Sequence, residues 1–260
     1  MEKRKEIIIL VFLIFLFFTI NYSFLDKGIE NFLSDFKIVK IDRVIDGDTV
    51  KFEEDSIRLL GINSPEKNEK YYSEAKEFLE EMSLNKTVRL EFGKEKYDRY
   101  KRILAYIFIN GENANLKLVE EGLANFYFPS GKDSHYNEFK EAWENCIEKN
   151  KNLCERSENI CSECIELKEF NYNNQELIFY NKCDFNCELT KWNIKDEGRK
   201  NFFFHEFVLE SKEQVKITLG EESNTKKNLF WKNEEYVWTS TGDTLFLRDD
   251  EGKLVLWETY

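Results

Sequence analysis

Residues 46–66, DGDTVKFEEDSIRLLGINSPE, together with residues 97–108, YDRYKRILAYIF, decide the fold of the first half of this chain. Both stretches join acid-rich turns to apolar runs, a pattern typical of β-strands. Such runs predict about five strands, at residues 36–44, 49–52, 57–62, 87–92 and 102–109. Apolar residues at helical spacing predict three helices, at residues 73–82, 114–122 and 134–149. The pattern indicates an α+β domain in which helices are added to a small β-barrel.

Carboxylates and arginines interrupt these strands in a pattern that suits phosphodiester cleavage. That reaction needs a group that activates water, a cation at the phosphate, and fixed positive charge for the transition state. Asp46 and Asp48 offer the oxygen ligands that a hard cation such as Ca²⁺ prefers. Glu66 is the candidate base. Arg58 and Arg102 are candidates for binding phosphate, since a guanidinium donates two hydrogen bonds at once.

Each of these residues has a simpler interpretation when it is taken alone. DGDT is most often a turn between strands, and an arginine in a strand is most often exposed to solvent. Glu66 follows Pro65, which is typical of a surface turn or the start of a helix. Their occurrence together and in this order favours a catalytic site.

Residues 38–155 resemble the thermonuclease, or staphylococcal-nuclease-like, domain. The similarity runs in order through VIDGDTV, IRLLGINSPE, DRYKRILAYIF and LVEEGLA. It implies an OB-fold five-stranded β-barrel and a calcium-dependent nuclease that acts on DNA and RNA with little sequence preference. It also implies 3′-phosphorylated products. The positions that match the catalytic residues of the family are Arg58, Glu66 and Arg102.

The resemblance also assigns the metal ligands. Asp48 matches the first ligand, and Asp46 matches the acid that reaches the metal through water. Asn63 and Ser64 stand where the family usually has Asp and then a Thr or small residue whose carbonyl binds the metal. Because Asn63 offers an oxygen but no charge, we expect weaker Ca²⁺ binding.

Four further residues are candidates for binding the substrate. Tyr100 matches a family tyrosine that contacts phosphate. Lys101 stands where the type example of the family has Gly, and with Arg99 it adds positive charge. Tyr127 lies near the position where an aromatic ring would stack on a base; packing in the core beside its phenylalanine neighbours is the alternative.

The overall charge of the chain is acidic. There are 38 Lys and Arg against 50 Asp and Glu, which gives a net charge of −12. Tight nucleic-acid binders usually carry a basic stripe, and this sequence has none. Local positive charge would therefore have to steer the substrate, at Arg58, Arg99, Lys101 and Arg102. The only two histidines, His135 and His205, are too isolated for a histidine-based site.

Residues 1–35 have a different composition from the rest of the chain. Lys3, Arg4 and Lys5 precede an uncharged, mostly apolar stretch at residues 7–25. About 19 such residues can span a bilayer, and no small-residue cleavage site follows them. The pattern predicts an uncleaved signal anchor with the remainder of the chain outside the cytoplasm. A cleaved signal peptide, which would give a secreted protein, is the alternative.

Residues 158–260 form a second region, after a first region at residues 36–157, and it is long enough for its own core. Strand-like runs at residues 176–180, 192–195, 202–207, 214–219, 236–238, 244–247 and 253–257 predict an antiparallel sandwich. The succession ELIFYNKC, LTKWNIKDE, FFFHEFVL, VKITLG and GDTLFLRDDEGKLV resembles a lamin-tail domain, with an immunoglobulin-like sandwich, over residues 162–260. This resemblance implies a binding module for an unidentified surface partner.

The six cysteines lie between residues 146 and 187. An even number downstream of a secretory segment predicts disulfides that pin the junction between the regions. Cys146 and Cys154 form a natural pair. For the others, which are Cys161, Cys164, Cys183 and Cys187, a four-thiolate zinc site is the alternative to disulfides.

Three functions are compatible with these patterns. The first is a membrane-anchored, extracytoplasmic, calcium-dependent nuclease. The second is a barrel that binds nucleic acid without cutting it, which the presence of Glu66 disfavours because binding alone needs no base. The third is a surface-adhesion protein in which the second region binds the partner.

Overall fold

The computed structural model describes residues 36–260. The predicted anchor at residues 7–25 lies outside the described residues, so it stays a prediction. Between residues 36 and 260, the structure contains no helix with the length and apolar character needed to cross a membrane.

The first region is built on one curled sheet and a separate pair of short strands. Its strands are β1 (Phe36–Lys40), β2 (Arg43–Asp46), β3 (Thr49–Phe52), β4 (Asp55–Leu59), β5 (Gly61–Asn63), β6 (Thr87–Tyr97), β7 (Ile103–Ile109), β8 (Glu112–Asn113) and β9 (Asn125–Tyr127). The sheet order is β1-β6-β7-β4-β3-β2, with β8 on β7, while β5 pairs with β9. Strands β4 and β7 are parallel neighbours, which places Arg58 beside the start of β7.

The sheet is OB-fold-like, but it does not close into the predicted five-stranded barrel. The strand predicted at residues 36–44 bends at Ile41 and Asp42, so that β1 pairs with β6 while β2 pairs with β3. The amide of Ile41 donates to the carbonyl of Lys86, and that of Asp42 to the carbonyl of Lys51. Among the described residues, the two edges of the sheet are therefore joined through the chain and not by a ladder.

The three predicted helices are confirmed. They are α1 (Tyr72–Ser83), α2 (Ala114–Glu120) and α3 (Tyr136–Lys149). Helix α3 buries Phe139, Trp143 and Ile147, which lie four residues apart and so share one face. Helix α2 begins after Asn113, whose side chain accepts hydrogen bonds from two amides of the first turn.

The second region is a sandwich, as the lamin-tail resemblance implies. Its strands are β10 (Ile165–Asn171), β11 (Glu176–Asn181), β12 (Cys187–Glu188), β13 (Asn193–Lys195), β14 (Asn201–Phe203), β15 (Val208–Leu209), β16 (Gln214–Leu219), β17 (Asn228–Trp231), β18 (Thr244–Arg248) and β19 (Leu254–Thr259). The sheets β10-β11-β16-β17 and β14-β13-β18-β19 both contribute to one apolar core. The prediction of a wholly antiparallel sandwich was wrong at one ladder, because β16 and β17 run parallel.

The strand predicted at residues 236–238 is a loop. Val237 and Trp238 are buried, which produced the apolar signal. Their amides donate to Oε1 of Gln175 at 2.7 and 2.9 Å. The side chain of Gln175 thus satisfies the backbone that a neighbouring strand would otherwise pair.

The two regions share an apolar core. Phe246 of β18 is fully buried and belongs to the core of the first region, with its ring centre 5.3 Å from that of Trp143. Trp257 of β19 packs against the same core, and its ring lies edge-on to Phe126 at 6.0 Å. The second region therefore covers apolar surface that the first region would otherwise expose to water.

The six cysteines form three disulfides, which confirms the prediction of disulfides over a zinc site. The pairs are Cys146–Cys154, Cys161–Cys187 and Cys164–Cys183. The first joins the end of α3 to the turn that follows it. The other two join the start of the second region to Cys187, the first residue of β12, and to Cys183, which lies between β11 and β12.

Candidate active site

The turn between β2 and β3 carries the two predicted metal-binding acids. Gly47 permits this turn to pack tightly, since an added Cβ would lie 2.7 Å from Cβ of Ala75 and 2.8 Å from Cβ of Ser64. Oδ1 of Asp46 accepts a hydrogen bond from the amide of Asp48 at 3.2 Å. Burial, and then the neighbouring Asp48 carboxylate, raise the pKa of Asp46.

Asp48 connects the turn to the predicted arginine and to the next loop. Its Oδ2 lies 3.1 Å from Nη2 of Arg58 and accepts a hydrogen bond from the amide of Ser64, also at 3.1 Å. The hydroxyl of Thr49 donates to Oδ1 at 3.0 Å. Asp48 and Arg58 are both only 8% exposed, so this ion pair is held in a largely dry setting where its geometry is well defined.

Asn63 joins Arg58 to the second region. Its Oδ1 accepts from Nη2 of Arg58 at 3.3 Å, and its Nδ2 donates to the carbonyl of Gly198 at 2.7 Å. An aspartate at this position has no proton to donate to that carbonyl. The contact with Gly198 thus gives a physical reason for the departure from the usual family residue.

Glu66, the predicted base, is about half exposed, and basic residues of the second region contact it and its neighbour Glu69. Its amide donates to Oε2 of Glu69 at 2.8 Å, and that carboxylate pairs with Nζ of Lys195 at 3.0 Å. Its own Oε1 lies 2.8 Å from Nε of Arg199. Neither Lys195 nor Arg199 was predicted as a site residue, because both lie some 130 residues away along the chain.

Arg102 immediately precedes β7, the parallel neighbour of the strand that carries Arg58. In the parallel ladder of β4 and β7, Arg58 is opposite Leu104, and Arg102 precedes Leu104 by two residues. Nε of Arg102 donates to Oδ2 of Asp98 at 2.7 Å. Burial disfavours the charged form of Asp98, but the hydrogen bonds from Arg102 outweigh it and lower its pKa. Asp98, which the sequence analysis did not single out, thus orients the second arginine.

The turn before Arg102 presents the predicted substrate-binding residues to solvent. Tyr100 is 62% exposed, and its ring centre lies 4.8 Å from Cζ of Arg99 and 5.5 Å from Cζ of Arg102. Lys101 has φ 64°, in the left-handed region that favours glycine. The backbone at Lys101 is therefore in a conformation that glycine, the residue of the type example, adopts without strain.

Tyr127 of β9 lies near Arg58 of the candidate site. Alternation along the strand buries Phe126 and Phe128 in the core and leaves Tyr127 half-buried, with Cζ of Arg58 5.9 Å from its ring centre. Burial raises the pKa of its hydroxyl, although Arg58 acts in the opposite sense. The alternative of packing in the core therefore applies to Phe126 and Phe128 more than to Tyr127.

The predicted ligand set suits Ca²⁺ by its chemistry. The carboxylates of Asp46 and Asp48, the amide oxygen of Asn63 and the carbonyl of Ser64 are all oxygens, the donor type that this ion prefers. Asp48 contacts Ser64 directly and is linked to Asn63 through Arg58. Within residues 36–260, no three side chains of His, Cys, Asp or Glu converge on one point. Because residue 63 is Asn and not Asp, the predicted ligand set contains two carboxylates, those of Asp46 and Asp48.

Three buried carboxyls of the second region lie near this site. Burial raises the pKa of Asp243 to about 6. Burial, together with the charge of Asp243, raises the pKa of Asp196 to about 7 and that of Glu197 to about 9. Oε1 of Glu197 also accepts a hydrogen bond from the amide of Phe128 at 3.3 Å. Glu197 therefore belongs to the contact between the two regions.

Comparisons with known proteins match both regions. The family described as Staphylococcal nuclease homologue matches residues 56–156, and the Lamin Tail Domain matches residues 162–260. The chain is 37% identical to the thermonuclease of Staphylococcus hyicus over 128 residues, which is 45% of this chain and 75% of that protein. It is 34% identical to the thermonuclease of Staphylococcus intermedius over 126 residues, again 45% and 75%. An endonuclease of Bacillus subtilis (strain 168) is 34% identical over 97 residues, 33% of this chain and 46% of that protein.

Proposed function

This chain belongs to the staphylococcal nuclease homologue family, and we propose that it is a calcium-dependent nuclease that hydrolyses phosphodiester bonds in DNA, RNA or both. The observation that supports the proposal is the connected group Asp48, Arg58 and Asn63, to which Glu66 is linked because Asn63 and Glu66 contact the consecutive residues Gly198 and Arg199. Arg102 immediately precedes β7, in which Leu104 lies opposite Arg58. A carboxylate that water can reach, next to fixed positive charge, is what phosphodiester hydrolysis requires.

Each residue has a distinct role in the proposed reaction. Glu66 takes a proton from a water molecule, and the resulting hydroxide attacks phosphorus in line with the leaving oxygen. Arg58 and Arg102 neutralise the charge that develops on the phosphoryl oxygens. Asp48, Asn63 and Ser64, with Asp46 through a water molecule, would hold Ca²⁺, which would supply further positive charge at the phosphate. Cleavage of the bond between phosphorus and the 5′ oxygen leaves a 3′-phosphate.

Asn63 is the observation that favours the alternative function, in which the chain binds nucleic acid without cutting it. The side-chain amide of Asn63 lacks the negative charge that an aspartate would offer to the cation. It also makes hydrogen bonds already, to Arg58 and to the carbonyl of Gly198. The half-exposed carboxylate of Glu66 supports the nuclease, because binding of an anionic ligand gains nothing from a negative charge at that place.

We also propose that residues 7–25 anchor the chain in a membrane with both regions outside the cytoplasm. Three disulfides support this location, since such bonds persist in oxidising compartments. The second region would then bind a partner at the same surface.

Digestion of plasmid DNA and of single-stranded RNA by the purified full chain tests the proposed function. We expect cutting with Ca²⁺, none with a chelator, and product ends that a polymerase extends only after phosphatase treatment. A folded protein that cuts neither substrate at any Ca²⁺ concentration would contradict the proposal and favour the binding function.

Replacing Asn63 with Asp tests the metal site separately. We expect the Ca²⁺ concentration for half-maximal activity to fall several-fold, because a third carboxylate strengthens the site. The same change should cost about 1–3 kcal/mol of stability without metal, since the Gly198 carbonyl loses its donor. Asn68→Asp, an exposed substitution of the same type, is the control. An unchanged Ca²⁺ requirement would exclude residue 63 as a ligand.

A further inference from the structure

The hairpin loop between β13 and β14 reaches the proposed base from the second region. It comprises residues 196–200, DEGRK. The carbonyl of Gly198 accepts the hydrogen bond from Asn63 at 2.7 Å, and the next residue, Arg199, places Nε 2.8 Å from Oε1 of Glu66. Two consecutive residues of this loop therefore contact two residues of the proposed nuclease site.

The loop is anchored on both sides of its tip. Oδ1 of Asp196 accepts from the amide of Lys200 at 2.8 Å, which closes the loop on itself. Glu197 is buried and accepts from the amide of Phe128 in the first region. Nζ of Lys200 pairs with Glu234 at 3.1 Å. These contacts hold the backbone in place, while the side chain of Arg199 at the tip is exposed and lies beside Glu66.

Stability does not account for the ion pair at the tip. The side chain of Arg199 is 66% exposed and that of Glu66 is 48% exposed. Ion pairs as exposed as this one contribute about 0–1 kcal/mol to folding. Among residues 36–260, Arg199 has no other ion pair or side-chain hydrogen bond, so its two Nη groups have no protein partner there. A planar guanidinium with that edge open is suited to bind a phosphate.

We propose that Arg199 binds a phosphate of the nucleic-acid substrate beside Glu66, so that the lamin tail domain supplies part of the nuclease site. The inference rests on the proposed function. The other two arginines of the site are tied to carboxylates, Arg58 to Asp48 and Arg102 to Asp98. In a chain with a net charge of −12, an exposed cation held at the point of cleavage compensates for the absent basic stripe.

Binding of a labelled single-stranded oligonucleotide to the full chain in chelator, where no cutting is expected, tests this role. Arg199→Ala should raise the Kd about tenfold, which is the loss of affinity expected for one charged hydrogen-bonded contact. The slope of log affinity against log salt should fall by about 0.7, as expected for one phosphate contact on a single strand. Arg199→Lys should keep the slope. Arg156→Ala, which removes another exposed arginine, should change neither quantity.

Turnover in Ca²⁺ separates this inference from the proposed function. We expect Arg199→Ala to raise KM with kcat and the melting temperature unchanged. If the parent chain cuts and Arg199→Ala has the same Kd, salt slope and KM, the inference is wrong and the proposed function stands. A higher kcat or tighter binding would also overturn it, because Arg199 would then shield Glu66. If the parent chain does not cut, the proposed function fails, and the oligonucleotide measurements still decide the role of Arg199.

Discussion

Replacing Glu66 with Gln is expected to lower kcat by about a hundredfold to ten-thousandfold, the usual contribution of a general base. Glutamine has nearly the same shape but cannot accept the proton from water. The backbone at residue 66 should keep its position, because its main-chain N–H donates to Glu69 whatever the side chain. Nε of Arg199 still finds an oxygen acceptor in the new amide. The loss should therefore lie in chemistry and not in folding.

Two measurements separate the rate of cleavage from substrate binding. Single-turnover cutting of an oligonucleotide in Ca²⁺ gives the rate, and the Kd of the oligonucleotide in chelator gives the affinity. The Kd of Glu66→Gln should equal that of the parent or be somewhat tighter, since a negative charge near the phosphate has been removed. Glu74→Gln, an exposed substitution in the first turn of α1, is the matched control and should retain full activity. If Glu66→Gln keeps a tenth or more of the parent rate, Glu66 is not the base.

The part of the site that sequence could predict is the part built from neighbouring segments. Asp46, Asp48 and Arg58 follow one another through a turn and two paired strands, so their spacing already indicates proximity. Asn63 was predicted as a metal ligand, but its bond to Gly198 spans 135 residues and has no local signal. The charged loop DEGRK has the composition of an ordinary solvated turn. Only folding shows that it lies over Glu66.

The same distinction holds for the fold. The three helices were predicted because apolar spacing is a local property, as at Phe139 and Trp143. The strand at residues 36–44 was predicted as continuous, because a bend at Ile41 that redirects pairing from β6 to β3 leaves no mark in apolar alternation. Residues 236–238 show that burial alone does not make a strand when a side chain, here Gln175, satisfies the backbone.

The shared core predicts that the two regions lose structure together, and Phe246→Ala is the sharpest test. Phe246 is fully buried, and its ring lies 5.3 Å from Trp143 and 6.4 Å from Phe126, both in the first region. Removing a buried phenylalanine side chain costs about 3–5 kcal/mol, because apolar burial is lost and a cavity remains. We therefore expect one substitution in the second region to lower the free energy of unfolding of the proposed nuclease region by that amount.

Urea unfolding followed by tryptophan fluorescence, beside nuclease activity in the same samples, measures the effect. Trp143 reports on the first region and Trp192 on the second, so variants that retain one or the other distinguish them. Phe203→Ala, which truncates a half-exposed phenylalanine of β14, is the control and should cost far less. Coincident transitions that shift together in Phe246→Ala would show that the second region stabilises the first. The opposite result would be two separate transitions, in which activity is lost in the transition that Phe246→Ala does not shift. It would show that the regions fold independently despite their contact.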